Sequence, residues 1–245
     1  MTRNEYTIII LLIVTDDLVL CLDANAVSSY PGTGTTWSDL SGNGYDFTLT
    51  NANLWTANAD GTHYMDFTNG GSKYIPGGTL TNVPAYAEAT ICIWSAIKAP
   101  DGQWKTLVRG ATSDHQVIIN ASDGVSLGMY DNAVGGFLDT GWDVNTMSNY
   151  QTQFHFMVWK LSTSSPYYQF YYDGNLSSST ASLTNSNATF NNGFASVGAY
   201  HNGVSTPTSY GQPWGKIGSF AYYSRHLTEA ELKQNFNAQR SRFGL

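Results

Sequence analysis

Residues able to stack on a sugar ring and hydrogen-bond its hydroxyls fall in three short polar segments of this chain. Trp142 and Asp143 lie in Asp139-Thr140-Gly141-Trp142-Asp143, Tyr200, His201 and Asn202 in Tyr200-His201-Asn202-Gly203, and Trp214 in Gly211-Gln212-Pro213-Trp214. An aromatic face beside amide or carboxylate groups, displayed on loops, is the chemistry of carbohydrate contact. Acid-base chemistry is poorly supplied. Retaining glycoside hydrolysis needs two carboxyls about 5 Å apart, which alternate positions of one strand provide. The chain has four glutamates, Glu5, Glu88, Glu229 and Glu231, and no Glu-x-Asp-x-Glu pattern. Its five histidines, His63, His115, His155, His201 and His226, form no H-x-x-x-H or H-E-x-x-H pair and read as surface or hydrogen-bonded loop residues. Gly124-Val125-Ser126-Leu127-Gly128 has the G-x-S-x-G spelling but leads from the Asp-Gly turn into a predicted strand rather than from a strand into a helix, so it is no nucleophile elbow, and no P-loop occurs. The expectation is a chain that is not an enzyme, with no catalytic residue.

The elements that must carry these segments are strands. Asn, Ser and Thr make up 70 of 245 residues, beside 24 Gly, and these types favour turns and strands over helix interiors. Runs rich in β-branched and aromatic residues recur every 8 to 12 positions between Gly, Asn and Asp, the rhythm of a sandwich or barrel. They predict strands at Leu18 to Leu22, Tyr45 to Leu49, Tyr64 to Phe67, Ala89 to Ile97, Gln103 to Arg109, Gln116 to Asn120, Val125 to Tyr130, Gln153 to Leu161, Tyr167 to Tyr172, Ala195 to Ala199 and Lys216 to Tyr223. Ala89 to Ile97 is apolar on both faces and reads as a central strand. Asp123-Gly124 and Asp173-Gly174 read as hairpin turns. Trp94 and Trp159 belong to strand cores. One helix is expected near the end, where Thr228-Glu229-Ala230-Glu231 fits a capping box and Leu227 with Leu232 a hydrophobic staple. Lys233, Arg240 and Arg242 then complement its dipole or offer a basic docking surface.

Charge and cysteine use narrow the partners. The formal net charge is −7, with 12% charged residues, so the chain is a poor match for a run of phosphates and nucleic acid is not an expected partner. Cys21 and Cys92 sit within apolar runs and read as two buried free thiols. The apolar run Ile8 to Val14 is too short to span a bilayer. We read residues 1–17 as an N-terminal arm of the mature protein and 18–245 as one domain. Left uncovered, the arm would expose an apolar strand, so it either adds to its own sheet or packs on a neighbouring copy or protein.

Several segments carry a family likeness. Leu18 to Ala24 (LVLCLDA), Ser29 to Gly44 (SYPGTGTTWSDLSGNG), the hairpin Tyr171-Tyr172-Asp173-Gly174-Asn175, Gly215 to Arg225 and Leu227 to Leu232 resemble, in order, the concanavalin A-like, laminin-G-like jelly rolls. The resemblance implies an all-β, two-sheet antiparallel jelly-roll sandwich with a short C-terminal helix. It also implies calcium at a rim, where Asp39 with Asn43, and Asp131 with Asn132 and Asp139, offer oxygen donors of the right type. Asx residues equally build turns, and both roles stand open at this point. The opening SYPGTGTTWSDLSGNG and the closing Leu232 to Gly244 resemble stand-alone copies of this module in structural proteins of tailed phages and large DNA viruses. The function this implies is a structural surface protein of a viral particle, a minor capsid, decoration or fibre component, touching other virion proteins or copies of itself and host glycans. Its implied place is the virion surface, or otherwise an extracellular or cell-surface one. A free carbohydrate-binding lectin is the first alternative and a carbohydrate-active enzyme with an unusual centre the second.

Overall fold

A strand that is apolar on both faces must be covered on both. In the computed structural model, which describes residues 13–49, 54–68, 78–80, 83–110, 115–131, 136–184, 194–198 and 213–245, that strand is β7 (Glu88–Ile97). It lies inside an eight-stranded antiparallel sheet, numbered here along the chain. From one edge the order is β14 (Ala181–Leu183), β13 (Tyr168–Tyr172), β12 (His155–Ser162), β7, β16 (Gly215–Tyr223), β5 (His63–Asp66) and β4 (Trp55–Ala57), while β1 (Leu18–Asp23) pairs with β16 beside β5. Its inner face presents Ile91, Ile93, Met157, Trp159, Phe170 and Phe220. A five-stranded sheet covers that face: β11 (Gly136–Asp143), β10 (Ser126–Asp131), β9 (His115–Ile119), β8 (Lys105–Gly110) and β15 (Phe194–Val197) contribute Leu107, Val117, Ile119, Leu127 and Met129 among others. A small sheet of β2 (Thr36–Trp37), β3 (Phe47–Leu49) and β6 (Gly78–Leu80) joins the same core through Trp37 and Phe47. This is the expected jelly-roll sandwich.

The outer face of the large sheet presents Cys92, Trp94, Phe156, Val158 and Tyr223. Its cover is the C-terminal helix α1 (Glu229–Gln239) with the residues on either side of it. Leu227, Leu232 and Phe243 pack there, and the Trp94 indole stacks on Phe243 at 4.6 Å and on Phe236 at 5.7 Å. The capping box forms as expected: Thr228 Oγ1 accepts from the Glu231 amide at 3.3 Å and Glu231 accepts from the Thr228 amide at 2.7 Å. Val14 completes the cover, its amide donating to Asn235 Oδ1 at 2.8 Å and its carbonyl accepting from the Tyr223 hydroxyl at 2.9 Å. The end of the expected arm thus packs on the domain, while residues 1–12 lie outside the described part.

Arg225, Lys233 and Arg242 of the C-terminal segment are ion-paired within the chain, and the exposed Arg240 lies over the Phe236 ring at 5.8 Å. Arg242 donates to Asp23 Oδ2 at 2.9 Å with both side chains 1% exposed, Arg225 pairs with Glu231 and Asp17, and Lys233 pairs with Glu229. Arg242 is therefore part of the interior, which corrects its reading as a docking or dipole-facing charge. Strands β2, β4, β6, β11 and β14 were not anticipated. Four of them are only two or three residues long, too short to show a period, and β11 is interrupted by a bulge. A leucine or phenylalanine of this core contributes about 1.5–3 kcal/mol by leaving water, so both covers matter energetically.

Removing one partner of the buried Asp23–Arg242 pair strands the other charge, so Asp23→Ala should cost about 3–5 kcal/mol, against about 0.5–2 kcal/mol for the exposed cap change Thr228→Ala. Equal denaturant midpoints for the two variants would contradict that ranking. Cys21 and Cys92 both oppose Ala221 on β16, from either side, which separates their backbones by about 9.6 Å, beyond disulfide reach. Burial holds both thiols up, Cys92 to about 12. Alkylation in denaturant without reductant should add two labels per chain; a mass showing no label would contradict the free, buried thiols.

Candidate functional site

The segment Asp139-Thr140-Gly141-Trp142-Asp143, expected as a loop, is the end of strand β11 interrupted by a bulge. Asp139 opposes Gly128 and Asp143 opposes Ser126, so β11 spends four steps where β10 spends two. Polar side chains and a left-handed glycine build this detour. Asp139 Oδ1 accepts from the Gly141 amide at 2.8 Å, Thr140 Oγ1 donates to the Leu127 carbonyl at 2.7 Å, and Gly141 takes φ +74°. Bulges re-aim side chains. Here Trp142 turns toward the other sheet, 4.8 Å from the Phe170 ring and 5.7 Å from Tyr172, half-buried at the rim.

Beyond Asp143 the chain makes a single 3-10 turn, Val144–Thr146, and runs to Thr152 before entering β12. Two anchors fix this stretch. Val144 is buried and its amide donates to the Val125 carbonyl at 3.0 Å; the Tyr150 carbonyl accepts from the Ile97 amide at 2.8 Å. Between and around the anchors lies an open depression of about 400 Å³ lined by Asn145, Met147, Ser148, Asn149, Tyr150, Gln151 and Thr152. That volume lies toward the lower end of small-ligand sites. Asn145, Ser148, Asn149, Gln151 and Thr152 are exposed, while Met147 and Tyr150 are buried. The lining thus offers amide and hydroxyl groups, which both donate and accept, on an apolar floor. It holds no formal charge.

Behind the depression, a buried histidine paired with a half-buried aspartate supports its wall. His155, 4% exposed, opposes Ser95 on the inner face of the large sheet. Its Nδ1 lies 2.5 Å from Asp173 Oδ2 and its Nε2 2.9 Å from the Ser148 carbonyl. Asp173 is the aspartate of the Tyr-Tyr-Asp-Gly hairpin, in the left-handed region at φ 41°, and its Oδ1 accepts from the Phe156 amide at 2.8 Å. Burial alone would push the His155 imidazole down; the Asp173 hydrogen bond and charge, with the Ser148 carbonyl, hold it above the ordinary histidine value. His155 is therefore a strand residue in the interior, which corrects its reading as a surface or loop histidine.

The other expected site residues scatter. Trp214 is fully buried, its indole donating to Ser95 Oγ at 2.8 Å, so its face is not available to a ligand. Asp143 is near Trp142 and accepts a 3.4 Å bond from Ser126 Oγ. Tyr200, His201 and Asn202 lie outside the described residues, as does Asn132. The expected calcium donors formed two groups, Asp39 with Asn43 and Asp131 with Asn132 and Asp139; among the described residues no three His, Cys, Asp or Glu side chains converge to hold an ion. Asp39 is saturated by four donors, the amides of Cys21, Ser41 and Tyr45 and the Ser41 hydroxyl. Asn43 Nδ2 donates to the Leu18 and Val19 carbonyls. Together they lash the Ser-Asp-Leu-Ser-Gly-Asn-Gly loop to β1. Asp131 sits opposite Gly136, three residues along β10 from the partner of Asp139, a separation of about 10 Å. A second group of half-buried rings, Trp104, Tyr130 and Phe137, lies on the outward side of the five-stranded sheet with centroids 5.5 and 5.6 Å apart.

No family model and no curated protein matches the chain by sequence. Solved structures do share its fold. A sialidase of Trypanosoma rangeli, in complex with 2,3-difluorosialic acid, matches with a TM-score of 0.56 and 14% identity over 95% of this chain and 34% of that one. Domain 4 of AbnA, a GH43 extracellular arabinanase from Geobacillus stearothermophilus, in complex with arabinotriose, matches with a TM-score of 0.54 and 14% identity over 89% and 98%. A botulinum neurotoxin serotype D/C binding domain gives 0.60 and 12% identity over 91% and 52%. The chain spans about a third of the sialidase it matches. These likenesses define its class as a β-sandwich of the jelly-roll kind. They also correct the expectation that the chain is not an enzyme: sialidases are enzymes that carry this sandwich, so the fold gives no ground for excluding activity. No helix among the described residues is long and apolar enough to cross a membrane.

The His155–Asp173 pair generates a pH dependence. A histidine raised in the folded state stabilises the fold fully below its unfolded value, about 6.5, and that contribution fades as pH rises through the folded value. Asp173→Asn keeps an acceptor for the Phe156 amide but removes the charge. Wild type should be the more stable on the acid side, with the gap narrowing as His155 deprotonates. A gap in denaturant midpoint that stays constant with pH would contradict the charge pairing.

Proposed function

We propose that this chain is a lectin-like sandwich module that binds a neutral glycan at the rim depression, with Trp142 at its border. The observation that carries the reading is the uncharged lining of five exposed amide and hydroxyl side chains, which begins three residues along the chain from the half-buried Trp142. Hydroxyl-rich, uncharged ligands match such a lining, whereas an acidic sugar would find no cation in it. Domain 4 of the arabinanase, of the same fold and nearly the same extent, is seen with arabinotriose, which supports a saccharide on a sandwich of this class. The likeness of the segments Ser29 to Gly44 and Leu232 to Gly244 to viral structural proteins supports a setting on the surface of a viral particle, where the module would present the depression to host glycans.

Calorimetric titration with neutral oligosaccharides tests the site. Each hydrogen bond to the ligand contributes about 0.5–1.5 kcal/mol, so Asn145→Ala combined with Gln151→Ala should weaken binding roughly tenfold with an unchanged denaturant midpoint. Absence of binding, or equal affinity in the double variant, would sink this reading. Shortened products in the incubated saccharide would instead show hydrolysis. The setting is tested by the protein inventory of purified particles, in which the chain should appear.

A further inference from the structure

The two ring nitrogens of His155 face atoms that can only accept. Nδ1 meets the Asp173 carboxylate and Nε2 the Ser148 main-chain carbonyl. A neutral imidazole carries one N–H, an imidazolium two, so both bonds exist together only while the ring is protonated. Ser148 is itself part of the depression wall. We propose that His155 is a proton-dependent latch on that wall: as the imidazolium it pins the Ser148 carbonyl, and loss of the proton releases residues 145–149 and weakens ligand binding.

The surroundings decide which bond is lost. From β13 and the turn that follows it, the groups facing His155 are the Tyr172 ring, edge-on at 6.3 Å, and Asp173. From β7 the register neighbour is Ser95, an uncharged hydroxyl that donates to the Lys216 carbonyl; the Lys216 ammonium lies elsewhere, over the Tyr64 ring at 5.1 Å. From the loop comes the Ser148 carbonyl alone. Asp173 is held in place by the Phe156 amide, and a bond to a carboxylate is stronger than one to a neutral carbonyl. The remaining proton of a neutral ring therefore stays on Nδ1. Nε2 then turns a lone pair on the Ser148 oxygen, and the two repel. The anchors at Val144 and Tyr150 do not involve His155, which confines the release to the stretch between them.

The ligand consequence rests on the reading of the depression as a glycan site, but the latch itself can be measured without ligand. The experiment follows the His155 ring nitrogens by NMR from about pH 5 upward, and in the same samples the hydrogen exchange of amides 145–149, corrected for intrinsic rates. Exchange should rise severalfold through the midpoint of the His155 titration, with the Val144 amide unchanged, and affinity for a neutral oligosaccharide should fall about tenfold over the same range. His155→Gln, which keeps a donor whose charge does not vary, should give flat profiles in both. Exchange that ignores the His155 midpoint, or a pH dependence that survives in His155→Gln, overturns the latch. If that variant fails to fold, the wild-type comparison alone decides. Exchange that follows His155 while no neutral saccharide binds at any pH upholds the latch and overturns the glycan reading instead.

Discussion

One constraint organises the molecule: a large sheet whose central strand, β7, is apolar on both faces and must be kept dry on both. The inner side is sealed by the five-stranded sheet, the outer by α1, Phe243 and Val14. Both seals draw on segments remote in sequence. The outer one joins the two ends of the described chain through Asn235, Tyr223 and the Val14 main chain, and the Asp23–Arg242 pair ties the last residues to the first strand. Such long-range closure makes the C-terminal segment part of the core rather than an appendage.

The rim depression exists because the inner seal ends there. Where β11 leaves the five-stranded sheet, its bulge swings Trp142 across to Phe170 and Tyr172, closing the gap between the sheets. The next residues cap the opening, anchored at Val144 and Tyr150. The polar side chains left facing solvent become the lining. Its support comes from a hairpin residue, Asp173, acting through a buried histidine.

Much of this was legible in the sequence, and the failures have physical causes. The runs Ala89 to Ile97 and Lys216 to Tyr223 declared their strands because burial on one or both faces demands β-branched and aromatic residues. The capping box of Thr228 and Glu231 is a local code and formed as read. By contrast, Asp139 to Asp143 looks like a loop because a bulge uses loop residues while the strand continues. Trp214 follows Gly-Gln-Pro, a loop signature, yet the hydroxyl of Ser95, 119 residues away, receives its indole. The His155–Asp173 pair bridges 18 residues. Its signal was present: with Tyr171 opposite Val158, the antiparallel register brings Asp173 opposite Phe156, next to His155. The polar stretch 145–152 carried no motif, since amide and hydroxyl side chains become a site only when two anchors curve the chain around them.

The central claim is that the rim depression, and not another aromatic surface, receives a neutral saccharide. The most direct measurement is the set of backbone amide shifts perturbed when a neutral oligosaccharide is titrated into the labelled protein. Perturbations should concentrate in residues 142–152, with smaller ones at Tyr172 and Asp173. Perturbations confined to the outward side of the five-stranded sheet, around Trp104, Tyr130 and Phe137, would contradict it.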